Sequence, residues 1–104
     1  MPTLIFTYRP KPGVAPEAFE RFLKEVDQPV TLSLPSAKAS RILRVLNEDA
    51  PFGYVEILEI TSFEDWKRDS QRPEVQVVLD QWLNFGDVAT VKAYNSEQVY
   101  AGEG

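Results

Sequence analysis

Phe52-Gly53-Tyr54-Val55-Glu56-Ile57-Leu58-Glu59-Ile60 is the stretch on which the fold turns. One parity of this run gives Phe52, Tyr54, Glu56, Leu58 and Ile60, and the other gives Gly53, Val55, Ile57 and Glu59. A strand with one face in water alternates cleanly between apolar and polar residues. This one is apolar at both parities. The runs Thr3 to Tyr8, Ala39 to Leu46 and Val88 to Tyr94 share the property. Two helical patterns accompany the four runs, enough to cover one sheet face. The other face then calls for a second cover, and a copy of the same chain supplies it. A homodimer is the expectation.

Working outward, Arg9-Pro10-Lys11-Pro12-Gly13 ends the first strand, because proline lacks a ladder donor and glycine permits a turn. A helix follows. Pro16 suits its first turn, and Phe19, Phe22, Leu23 and Val26 recur on one stripe. Glu17–Arg21 and Glu20–Lys24 read as i,i+4 pairs on a solvated face. Pro29 is expected to end or bend this helix after Asp27, and Pro35 to close the apolar segment Val30 to Leu34. Asn47 to Pro51 reads as a hairpin connection. Ser62 is a candidate N-cap for a short helix with Phe63 and Trp66 on its apolar side. Pro73 opens a second helix with Val75, Val78, Leu79 and Trp82 on one stripe, and Gly86 offers its stop. Asn95 to Tyr100 either extends the last strand or crosses to a partner. The order βαββαβ is the ferredoxin-like α+β plan, a four-stranded antiparallel sheet with helices on one face.

At 104 residues the chain reads as one domain, residues 1–104. A formal net charge of −5 and the lack of any Lys/Arg cluster argue against nucleic acid and anionic membranes as partners. There is no cysteine and no histidine, which removes disulfides, thiolate nucleophiles and the commonest metal ligands. No metal or cofactor motif is present, and proton transfer falls to Asp, Glu, Tyr or Lys. Neither a signal peptide nor a membrane-length apolar run is visible, which makes the cytoplasm the expected location.

Tyr8-Arg9-Pro10-Lys11-Pro12-Gly13-Val14 resembles the strand-to-helix connection of the dimeric α/β-barrel superfamily, which includes cofactor-free antibiotic-biosynthesis monooxygenases. Val26-Asp27-Gln28-Pro29, Leu34-Pro35-Ser36, Ala50-Pro51-Phe52-Gly53-Tyr54-Val55-Glu56-Ile57 and Ile60-Thr61-Ser62-Phe63-Glu64 together resemble the RedY/HapK-like proteins of prodiginine pigment biosynthesis. That resemblance spans nearly the whole chain. It implies a homodimer whose two sheets enclose small-molecule pockets, and a part in making the bipyrrole half of a red tripyrrole. The chemistry implied is a dehydrating ring closure in which an amine adds to a ketone and the carbinolamine loses water. Such a step needs an acid, a base and a pocket that holds the chain ends together, with no cofactor.

Asp27 and Glu56 are the candidate catalytic acids, since a partly desolvated carboxyl has its pKa raised toward neutrality and serves in both roles. Asp27 stands at the expected helix end, where the dipole disfavours its charge; the structural alternative is a turn-organising side chain. Glu56 is a pocket acid if its strand face lines the barrel interior; the alternative is an ion pair with Arg41, Arg44 or Lys92. Tyr8 and Tyr54 are candidate donors to a substrate carbonyl, Arg44 a candidate oxyanion contact, and Trp66, with Trp82, a candidate platform for a pyrrole ring. Each is also an ordinary interface, surface or core residue. Parity alone leaves open which sheet face lines the pocket. Three functions stay open: a cofactor-independent cyclase, a binding protein that shelters a reactive intermediate, and a cofactor-free monooxygenase.

Overall fold

The computed structural model describes residues 1–104. Four strands, β1 (Pro2–Pro10), β2 (Ala37–Arg44), β3 (Tyr54–Ile60) and β4 (Gly86–Glu97), pair antiparallel in the order β2-β3-β1-β4. The helices α1 (Pro16–Phe22), α2 (Gln28–Ser33), α3 (Phe63–Asp69) and α4 (Pro73–Trp82) complete a ferredoxin-like α+β fold. None of them is long and apolar enough to cross a membrane. β4 runs on to Glu97, so part of the Asn95–Tyr100 segment does extend the last strand.

Register fixes the two faces of the sheet. Tyr8 pairs with Tyr54, Phe6 with Glu56 and Leu4 with Leu58, and on the other side of β3 Arg44, Ile42 and Ser40 oppose Tyr54, Glu56 and Leu58. Cross-strand partners share a face. This face carries the helices. Leu58 and Ile60 are fully buried on it, and Tyr8, Phe19, Tyr54 and Trp82 pack edge-on and stacked at centroid distances of 5.2–6.0 Å. Each such aromatic pair adds roughly 0.5–1.5 kcal/mol beyond its area burial. The opposite face presents Ile5, Val55, Ile57, Leu43 and Tyr94, with Leu43 51% and Tyr94 50% exposed.

Pro29 does not end the first helix. Between α1 and α2 the residues Leu23–Asp27 form a π-helical segment, in which the Gln28 amide reaches back to the Leu23 carbonyl, and the helical path continues to Ser33. Proline in a regular helix lacks a donor and presses its ring on the carbonyl four residues back. A wider turn immediately before Pro29 relieves that clash, and Pro29 then occupies the first turn of α2, where no donor is required. Asp27 is therefore mid-helix rather than at a C-terminus, and the expected dipole argument does not apply to it.

Ser62 caps α3 as expected, its Oγ accepting from the Asp65 amide at 3.0 Å. The fully buried Asp69 accepts from the Ser36 amide at 3.0 Å, and Arg68 and Arg72 reach its other oxygen at 3.3 and 3.4 Å. Hydrogen bonding from Ser36 holds its pKa below the usual carboxylate range. The connection from α2 to β2 is thereby tied to the end of α3. Gly13, at φ +85°, makes the turn after β1. Gly86 serves less as a helix stop than as clearance, because a Cβ there would overlap the Trp82 indole.

Candidate functional site

A cavity of about 340 Å³ opens between the sheet and the helices, within the range of small-molecule sites. β1 supplies Phe6 and Tyr8, β3 supplies Glu56, and the π segment and α2 supply Asp27, Val30 and Thr31. Trp66 of α3, Val78 and Trp82 of α4, and Val88 and Val91 of β4 complete most of the apolar wall. This corrects the expectation attached to Glu56: its strand face turns to the helices, not to an interior between two sheets. The reason lies in the same parity, because Leu58 and Ile60 share the face of Glu56 and are fully buried under helices.

Glu56 sits mid-sheet between Phe6 and Ile42. The Tyr8 hydroxyl donates to its Oε1 at 3.1 Å. None of Arg41, Arg44 and Lys92 pairs with it: Arg41 opposes Ile57 and Lys92 opposes Thr7, both on the other face, and Arg44 is engaged elsewhere. Removal from water with no cation nearby pushes Glu56 up to about 7, and the neighbouring charge of Asp27 adds to the rise. Burial likewise raises Asp27, against the lowering effect of Gln28. The Gln28 amide donates to Asp27 Oδ2 at 2.7 Å, while Thr31 Oγ1 donates to the Asp27 backbone carbonyl at 2.9 Å. The Asp27 carboxylate thus accepts from a side chain and does not organise a turn. Burial and Glu56 push the Tyr8 hydroxyl well above the usual range, so it remains a donor.

Two sequence candidates fall outside this cavity. Tyr54 is buried in the core and its hydroxyl donates to Glu20 Oε2 at 2.8 Å. Arg44 grips the same carboxylate with both arms, at 2.6 and 2.7 Å. Glu20 therefore abandons the expected pairing with Lys24 and is drawn down to about 2, by the Arg44 hydrogen bonds above all. Burial and the Glu20 contact raise Tyr54 to about 12. Asp27, Glu56, Tyr8 and Trp66 are brought together; Tyr54 and Arg44 form a separate cluster with Glu20. Sequence reading missed Gln28, Thr31 and Glu20. Gln28 and Thr31 carried a signal in their adjacency to Asp27 on one helical path, whereas Glu20 meets Arg44 and Tyr54 only across the fold. No three potential metal-ligating side chains converge in the structure.

No functionally curated protein matches the sequence. Among solved structures, HapK from Hahella chejuensis is similar at 25% identity, with 100% of this chain and 98% of that chain covered and a TM-score of 0.83. SnoaB, a cofactor-independent oxygenase from Streptomyces nogalater, is 15% identical over 96% of this chain and 94% of its own, at a TM-score of 0.75. A dimeric protein of ferredoxin-like fold from Bacteroides fragilis is 12% identical over 93% and 95%, at 0.73. These last two likenesses show the fold alone. The family model described as REDY-like protein HapK matches residues 2–99, the span that holds every strand, every helix and the whole cavity, and the chain belongs to that family.

Proposed function

We propose that this protein binds a pyrrole precursor of prodiginine biosynthesis and promotes its cofactor-independent dehydrative ring closure. The observation that carries the reading is a pair of partly desolvated carboxyls, Glu56 and Asp27, on one apolar cavity with no cation among its lining residues. A group that titrates near neutrality is half protonated there and serves as acid and base alike. As the amine nitrogen bonds to the ketone carbon, Glu56 gives its proton to the carbonyl oxygen and Asp27 takes one from nitrogen. The carbinolamine then receives a proton on its hydroxyl, the C–O bond breaks, water leaves, and the second carboxylate removes the remaining proton. One water is lost and nothing is oxidised. Tyr8 holds Glu56 in place, and the aromatic walls fold the substrate so that its ends meet.

The test is the anaerobic closure rate of a chain-tethered amino ketone. The wild type accelerates it, and Asp27→Asn and Glu56→Gln each lose about two to four orders of magnitude. Binding without acceleration would leave a sheltering protein, and oxygen uptake would leave an oxygenase.

The open sheet face supports a second part of the reading, a homodimer. Ile5, Val55, Ile57, Leu43 and Tyr94 offer the apolar patch, and roughly 800 Å² per partner is the standard requirement. Light scattering at micromolar concentration should give twice the chain mass; a folded monomer would end this part.

A further inference from the structure

The charges around the cavity are all of one sign. The π segment brings Asp27, β3 brings Glu56, and α4 brings Asp80, while α3 contributes Trp66 and β4 only Val88 and Val91. Lys24, one turn before Asp27, lines the neighbouring depression instead, and Arg44 is held by Glu20. A ligand carrying a carboxylate or phosphate would therefore lose its hydration and meet only negative groups, a cost no contact in the cavity offsets. A cation gains twice. Its N–H groups find carboxylate acceptors, and its apolar remainder finds the wall that Trp66 and Trp82 supply.

We propose that this cavity takes its substrate as an organic ammonium ion, with the NH3+ group between Asp27 and Glu56 and the apolar remainder against Trp66 and Trp82, and that it rejects anionic molecules. The assignment rests on the same cavity as the proposed ring closure and names the form in which the amine arrives. One N–H bond then breaks, the proton passes to the Glu56 carboxylate, which becomes the acid for the carbonyl oxygen, and the free amine is left in position to attack with Asp27 still ionised as its base.

The probes are 2-phenylethylammonium and its carboxylate counterpart 3-phenylpropionate. The chain contains two tryptophans, and both line the cavity, so intrinsic fluorescence reports binding directly. The ammonium should saturate the signal at pH 8 and bind about tenfold or more tightly than the carboxylate, the ratio one charge-assisted contact supplies. Acidification to pH 5 should weaken it, as Glu56 takes up its proton. Asp27→Asn and Glu56→Gln, checked for folding by near-ultraviolet circular dichroism, should each narrow the preference. Equal affinity for the two probes, preference for the carboxylate, or no saturable binding of the ammonium would overturn the assignment. No turnover is needed. Ammonium selectivity without ring closure would therefore sink the proposed reaction alone, and ring closure without selectivity would sink this inference alone.

Discussion

Two tyrosine–carboxylate pairs lie side by side on one face of the sheet, and they behave in opposite ways. Tyr8 donates to Glu56 and Tyr54 donates to Glu20, and the two tyrosine rings stack at 6.0 Å on adjacent strands. Yet Glu56 is pushed up to about 7, and Glu20 is drawn down to about 2. The tyrosines do not account for the difference, since a phenol donating to a carboxylate favours the charged form in both cases. Arg44 does. It sits at the edge of the sheet, 57% exposed, and neutralises Glu20 with two parallel hydrogen bonds, whereas Glu56 is central and has only Asp27 for charged company. One sheet face can hold a carboxyl drawn down and another pushed up by supplying one cation and withholding another.

The largest expected effect comes from making the two sites alike. Ile42 opposes Glu56 across β2 and β3 just as Arg44 opposes Tyr54. Ile42→Arg should bring a guanidinium beside Glu56 and return its carboxyl to the ordinary range, which carbon-13 NMR titration can follow. The fraction protonated at neutrality then falls, and ring closure should slow by about one to two orders of magnitude. A carboxyl that still titrates near 7 in this variant would break the comparison.

The next effect is on stability and has opposite signs at the two sites. Glu56 rises from an ordinary 4.5 to about 7, so the stability linked to its proton is fully present below pH 4.5 and lost as pH climbs through 7. Glu56→Gln should therefore unfold at higher denaturant than the wild type at pH 8.5, by on the order of 2 kcal/mol, and lose that advantage near pH 4.5. Glu20 falls from 4.5 to about 2, so its contribution is present above pH 4.5 and lost as pH drops toward 2. Glu20→Gln should destabilise at pH 7 by about 1 kcal/mol, the smallest effect of the set, because the solvated Arg44 screens the pair. Curves of the same sign for the two variants would show that Arg44 is not what separates the sites.

Much of this molecule could be read from its residues. The strands were marked by apolar runs, the capped α3 by Ser62, and the family by ordered fragments spanning the chain; the family match and the structure bear out those readings. Asp27 and Glu56 stand out because a chain without histidine leaves few groups for proton transfer, and both line the same cavity. What escaped was long-range or conformational. Nothing local says that Glu20 leaves Lys24 for Arg44, a partner 24 residues away in the chain. Parity separates the faces of β3 but does not say which one the helices cover. Of the two outcomes expected at Pro29, ending or bending the helix, ending does not occur, because that rule assumes a regular turn before the proline and the turn before Pro29 is not regular.

That wide turn also sets the angular phase of everything after it. One extra residue in a helical turn offsets the downstream side chains by about 100° relative to an uninterrupted α-helix. Val30, Thr31 and Leu34 reach the cavity wall in this rotated frame, together with Asp27. The composition of one wall is thus written as a rotation angle rather than as a set of residues. A change that let Leu23–Asp27 relax to a regular helix would turn a different stripe of α2 toward the cavity while leaving every wall residue in the sequence.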